Sequence, residues 1–77
     1  MISIKGKTEL GNVFVVTIND DGITMRRQRD ATGKVVNDNV LYGDRLRFSK
    51  GRFILRKGRK TTGETFGKTE ITEILVI

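Results

Sequence analysis

Residues 45–56 read Arg45-Leu46-Arg47-Phe48-Ser49-Lys50-Gly51-Arg52-Phe53-Ile54-Leu55-Arg56. Two alternating runs flank Lys50-Gly51, and alternation with period two is the signature of a strand with one apolar face. With Lys50-Gly51 as a two-residue turn, Ser49 lies opposite Arg52, Phe48 opposite Phe53 and Leu46 opposite Leu55. A glycine at the second turn position suits the tight turns that join antiparallel strands. Leu46, Phe48, Phe53 and Leu55 then form an apolar face. Arg45, Arg47, Arg52, Ile54 and Arg56 form the other. Arg45 and Arg56 are directly opposed, a mildly unfavourable like-charge pair.

The same grammar extends outward. Residues 12–19 carry apolar groups on both faces, Phe14, Val16 and Ile18 on one and Val13, Val15 and Thr17 on the other, which predicts a central strand. Asn19-Asp20-Asp21-Gly22 is a tight turn, and residues 23–29 return from it. In that strand Ile23, Met25 and Arg27 share a face, while Thr24, Arg26 and Gln28 take the other. A turn at Asp30-Ala31-Thr32-Gly33 leads to a short strand at Lys34-Val35-Val36. A polar loop or bulge at 37–39 follows, then an apolar run at 40–42 that Gly43-Asp44 breaks. Residues 61–69 are polar, forming a short hairpin or a loop. Residues 71–77 make a last strand that closes or edges the sheet, with an amphipathic helical turn as the alternative. The expected fold class is all-β: one domain over residues 1–77, a small barrel of five or six short antiparallel strands. An OB-type barrel is preferred over an SH3-like one.

The residue inventory narrows the chemistry. The chain has 77 residues, 36% hydrophobic and 31% charged, and no window of a dozen shows helical spacing. Val13-Phe14-Val15-Val16 is the longest apolar run, far below the ~20 residues of a membrane-spanning helix. The opening residues show no secretory pattern, so a cytoplasmic location is expected. There is no Cys and no His. Disulfides, zinc sites and the usual nucleophile–histidine arrangements are therefore excluded. A carboxylate-and-metal nuclease needs two or three acids close together, and the spacing of the nine acids supplies none. The expectation is a non-enzymatic protein without cofactor or metal.

Charge is the main functional signal. The net charge is +6, and it is segregated. Residues 1–25 hold two Lys/Arg against three acids, residues 26–60 twelve against three, and residues 61–77 one against three. A concentrated basic surface is the footprint of a polyanion binder. The candidate nucleic-acid contacts are Arg26, Arg27, Arg29, Arg45, Arg47, Arg52, Arg56, Lys57, Arg59 and Lys60, expected to pool on one platform. Phe14, Phe48 and Phe53 belong to predicted core faces, whereas Tyr42 and Phe66 lie in polar surroundings where they can stack on bases. Gly58, Gly63 and Gly67 lie among Lys, Arg and Thr, where backbone can cradle phosphate, but no P-loop pattern is present. The plain alternative is a solubilising basic face.

The stretch from Gly6 to Gly22, with Asn12-Val13-Phe14-Val15-Val16 running into Asp21-Gly22, resembles the opening hairpin of small S1-type OB-fold barrels, the family of bacterial translation initiation factor one. Gly43-Asp44-Arg45-Leu46 and Ser49-Lys50-Gly51-Arg52 are similar to turns of that family, although they stand closer together here, and residues 61–77 have no counterpart in it. The resemblance implies RNA or ribosome contact. The DNA-or-RNA-binding reading competes with a protein-interaction module, a small inhibitor, adaptor or assembly subunit. Such a module would meet an acidic partner or pair through the apolar strand Ile74-Leu75-Val76-Ile77.

Overall fold

Eight strands, among the described residues, alternate with tight turns along the chain. The computed structural model describes residues 1–36, 39–65 and 70–77. In order the strands are β1 (Ile2–Thr8), β2 (Val13–Asn19), β3 (Gly22–Arg29), β4 (Leu41–Gly43), β5 (Arg45–Ser49), β6 (Arg52–Lys57), β7 (Lys60–Glu64) and β8 (Ile71–Val76). They form a five-stranded sheet of order β4-β3-β2-β1-β8 and a three-stranded sheet of order β5-β6-β7. All pairings are antiparallel. None of the described residues lies in a helix long and apolar enough to cross a membrane.

The all-β class is as expected, and β2, apolar on both faces, is the middle strand of the larger sheet. The hairpin register is the one read above: Arg45↔Arg56, Leu46↔Leu55, Phe48↔Phe53 and Ser49↔Arg52. Lys50 (φ 53°) and Gly51 (φ 75°) both take left-handed backbone. Positive φ at both central positions matches the right-handed twist of the flanking strands.

Three expectations are corrected. The strand count is eight among the described residues, not five or six: the strand-like alternation of the opening residues is β1, and the stretch from Lys60 adds β7. Residues 34–36 form no strand; Val35 makes one isolated bridge to Arg29. The barrel does not close. The chain leaves one sheet at Gly43 and enters the other at Arg45, so the ladders end there. Single hydrogen bonds join the sheets instead: Asp44 N–H to the Arg56 carbonyl at 2.8 Å and the Thr62 hydroxyl to the Tyr42 carbonyl at 2.6 Å. At the far side the Ile71 N–H donates to the Gly51 carbonyl at 2.8 Å.

The core lies between the sheets. Val16, Met25 and Ile71 come from the larger sheet and Phe53 and Leu55 from the smaller. Ile4, Ile18, Ile23, Leu41 and Leu46 pack around them. Two buried threonines are satisfied. Thr65 Oγ1 accepts the Phe53 N–H at 2.9 Å, and Thr8 Oγ1 accepts the Asn12 N–H at 3.1 Å. Of the predicted core aromatics, Phe53 is buried and Phe14 partly so. Phe48 is 48% exposed, because β5 is an edge strand and covers only one side of the ring; its centroid sits 5.2 Å from that of Phe53.

Candidate nucleic-acid interface

Alternation along β5 and β6 sends Leu46, Phe53 and Leu55 into the core, so the intervening residues must face outward. Arg45, Arg47, Arg52 and Arg56 therefore share the outer face of the three-stranded sheet, with Ile54 between Arg47 and Glu64. Arg52 pairs with Glu64 at 3.2 Å, with both side chains well exposed. An exposed pair of this kind is worth about 0–1 kcal/mol, so Arg52 is steadied without being locked. Arg45 and Arg47 have no carboxylate partner among the described residues. Arg56 Nη2 donates to the Arg59 carbonyl at 2.9 Å, while its Nε has no protein acceptor. An open groove on this face is lined by Arg47, Ser49, Lys50 and Arg52, together with Glu64 and Glu70.

The β6–β7 turn extends the basic surface. Lys57 pairs across the ladder with Lys60, and Gly58-Arg59 forms the tip. Both Asp44 carboxylate oxygens stand 3.4 Å from the Gly58 amide, which places one acid against this tip. Gly63 lies within β7, opposite Leu55 in the ladder. It faces Leu41 and Met25 across the core, where a side chain would collide. Gly67 lies outside the described residues.

Strand β3 behaves differently from the expectation. Arg26 is exposed on the outer face of the five-stranded sheet, in a row with Val15 and Lys5. Arg27 is on the opposite side, in the row of Phe14 and Gly6. A bulge at Gln28 then resets the alternation, so Arg29 comes opposite Val13 and Lys7. Bulges re-aim side chains in this way. The turn after Arg29 is pinned by Asp30 Oδ1, which accepts the Thr32 and Lys34 amides at 2.9 and 3.1 Å. The hydrogen bond from the Thr32 hydroxyl holds the Asp30 carboxyl below its ordinary pKa. Arg29 in turn donates to the Gly33 carbonyl at 2.8 Å.

The arginines thus do not form one platform. The two outer faces are separated by the core: Arg45, Arg47, Arg52 and Arg56 gather on one, Arg26 and Arg29 on the other. Lys5 and Lys7, in a segment with no net positive charge, join the second set. Their alternation with Ile4 and Gly6 was the available signal. Tyr42 is 64% exposed on the outer face of the larger sheet, in a groove shared with Asp21, Asp44 and Lys57. Tyr42 therefore lies on the outward side of the larger sheet, opposite Thr24, and not on the outer face of the β5-β6-β7 sheet. Phe66 lies outside the described residues. Among the described residues no three acidic groups gather in a metal-binding arrangement. Comparison with protein-family models, with curated proteins and with solved structures returns no match for this chain.

Proposed function

We propose that this chain binds the phosphate backbone of nucleic acid, without catalysis, through the outer face of the β5-β6-β7 sheet. The supporting observation is that four arginines share that face, where among the described residues Glu64 is the one ion-paired carboxylate and Glu70 also lines the groove. Folding alone gains nothing from opposed Arg45 and Arg56, since like charges directly across a ladder are destabilising. A polyanion removes that repulsion and gives up condensed counterions on binding. Among the described residues, the outward positions of β5, β6 and β7 carry no aromatic side chain, which favours backbone contact over base reading. The likeness of its turns to S1-type OB barrels makes RNA the first nucleic acid to test.

A second reading rests on β8, an edge strand whose Ile74, Leu75 and Val76 are at least half exposed. An unpaired apolar edge can recruit another strand.

Fluorescence anisotropy with labelled single- and double-stranded RNA and DNA tests the first reading. With four phosphate contacts, log K falls against log salt with a slope of about −3.6, roughly a hundredfold between ~50 and ~200 mM. Replacing Arg45 and Arg47 together with Gln reduces the slope by about 1.8. Failure of every oligonucleotide to bind at low salt overturns the reading.

A further inference from the structure

We infer that the outer face of the five-stranded sheet is a second phosphate-binding surface, so that one molecule holds two separate duplex segments at once; the inference rests on the nucleic-acid reading above. The surface is built by register. Lys5, Val15 and Arg26 form one outward row, and Lys7, Val13 and Arg29 the next. Strands lie ~4.8 Å apart and alternate residues ~6.8 Å apart, so the four basic groups occupy roughly 7 by 10 Å at the backbone. That spacing is comparable to the Debye length of ~8 Å, so their field acts collectively on an approaching phosphate chain. Among the described residues, Glu73, opposite Lys7 on β8, faces the same way, while Asp21 and Asp44 line the separate groove beside Tyr42. Val13 and Leu75 line the groove between these charges without contributing any hydrogen-bonding side chain.

The alternative is one ligand that wraps the protein and meets both faces. Duplex stiffness argues against this. The persistence length of duplex DNA is ~50 nm, whereas the longest dimension of the molecule is 33 Å. A duplex on one face cannot turn around the core to reach the other. Two separate duplexes meet no such barrier. The shortest dimension is 21 Å, more than two Debye lengths at ~8 Å, so their mutual repulsion is largely screened.

The experiment mixes donor-labelled and acceptor-labelled duplexes with the full chain at low salt and reads energy transfer, with anisotropy reporting binding of a single duplex and sedimentation reporting the protein's own oligomeric state. The expected result is transfer by a monomeric protein. Transfer is lost, with single-duplex binding retained, in a Lys5→Gln/Lys7→Gln/Arg26→Gln variant and equally in the Arg45→Gln/Arg47→Gln variant. A milder Lys7→Gln/Arg26→Gln variant, confined to exposed positions, covers the case in which the triple variant does not fold. Salt-sensitive binding of one duplex without transfer overturns the second surface and leaves the nucleic-acid reading intact. Transfer that survives loss of the Lys7 and Arg26 charges, or that tracks a protein dimer, also overturns it. No binding to any duplex overturns both.

Discussion

Gly43 shows how one missing side chain positions the interface. A Cβ at this buried residue would lie 2.6 Å from the Arg56 carbonyl oxygen and 2.7 Å from Leu55 Cγ. Its absence lets β4 pass directly over β6, and the next amide, of Asp44, hydrogen-bonds to that same carbonyl. The position of Arg56 on its sheet is therefore tied to Gly43. Gly43→Ala is expected to lower stability by about 1–3 kcal/mol, as overpacking of a tight site does. A fall in the urea midpoint with an unchanged slope would show it; an unchanged midpoint would mean the crossing has slack. In the sequence Gly43-Asp44 reads as a break in an apolar run. The backbone it must clear is a dozen residues further on, and no local pattern announces that.

The β5–β6 hairpin and β3 make an instructive pair. In the hairpin a two-residue turn fixes the register, and strict alternation then assigns every side chain to a face, so the arginine face was legible from residues 45–56 alone. In β3 the bulge at Gln28 is set by pairing with Val13 on another strand. Nothing within residues 23–29 reveals it, and so the divergence of Arg26, Arg27 and Arg29 was not legible. The opposed Arg45 and Arg56 supply a test that separates binding from mere solubility. Arg45→Thr removes the like-charge pair and adds a good strand former, and is expected to raise stability by roughly 0.2–1 kcal/mol. If the face binds nucleic acid, the same change weakens affinity and flattens its salt dependence. Thermal unfolding and anisotropy measured together show the opposed effects; a stability gain with unchanged affinity would leave Arg45 outside the binding surface.

At the level of the complete chain, β8 has two roles that pull apart. Its first residue, Ile71, is in the core and its amide ties the sheet to the β5–β6 turn, while Ile74, Leu75 and Val76 are exposed. It also gives β1 its second neighbour. Deletion of residues 70–77 is expected to abolish cooperative unfolding. Leu75→Ser with Val76→Ser, at exposed sites, is expected to stay within about 0.5 kcal/mol of the parent. Circular dichroism on both variants checks this. A truncated chain that still unfolds cooperatively would show that β8 is an appended edge.

The all-β class, the central place of β2 and the arginine face of the hairpin follow from alternation and turn chemistry. Both act between residues a few positions apart, so they are written into short stretches of chain. Which side of the molecule each basic residue occupies depends on strand partners, on bulges and on how two sheets cover one core. Those are contacts between distant segments. For that reason only the folded chain reveals that Lys5 and Lys7 stand beside Arg26 and Arg29, with the core between them and the hairpin arginines.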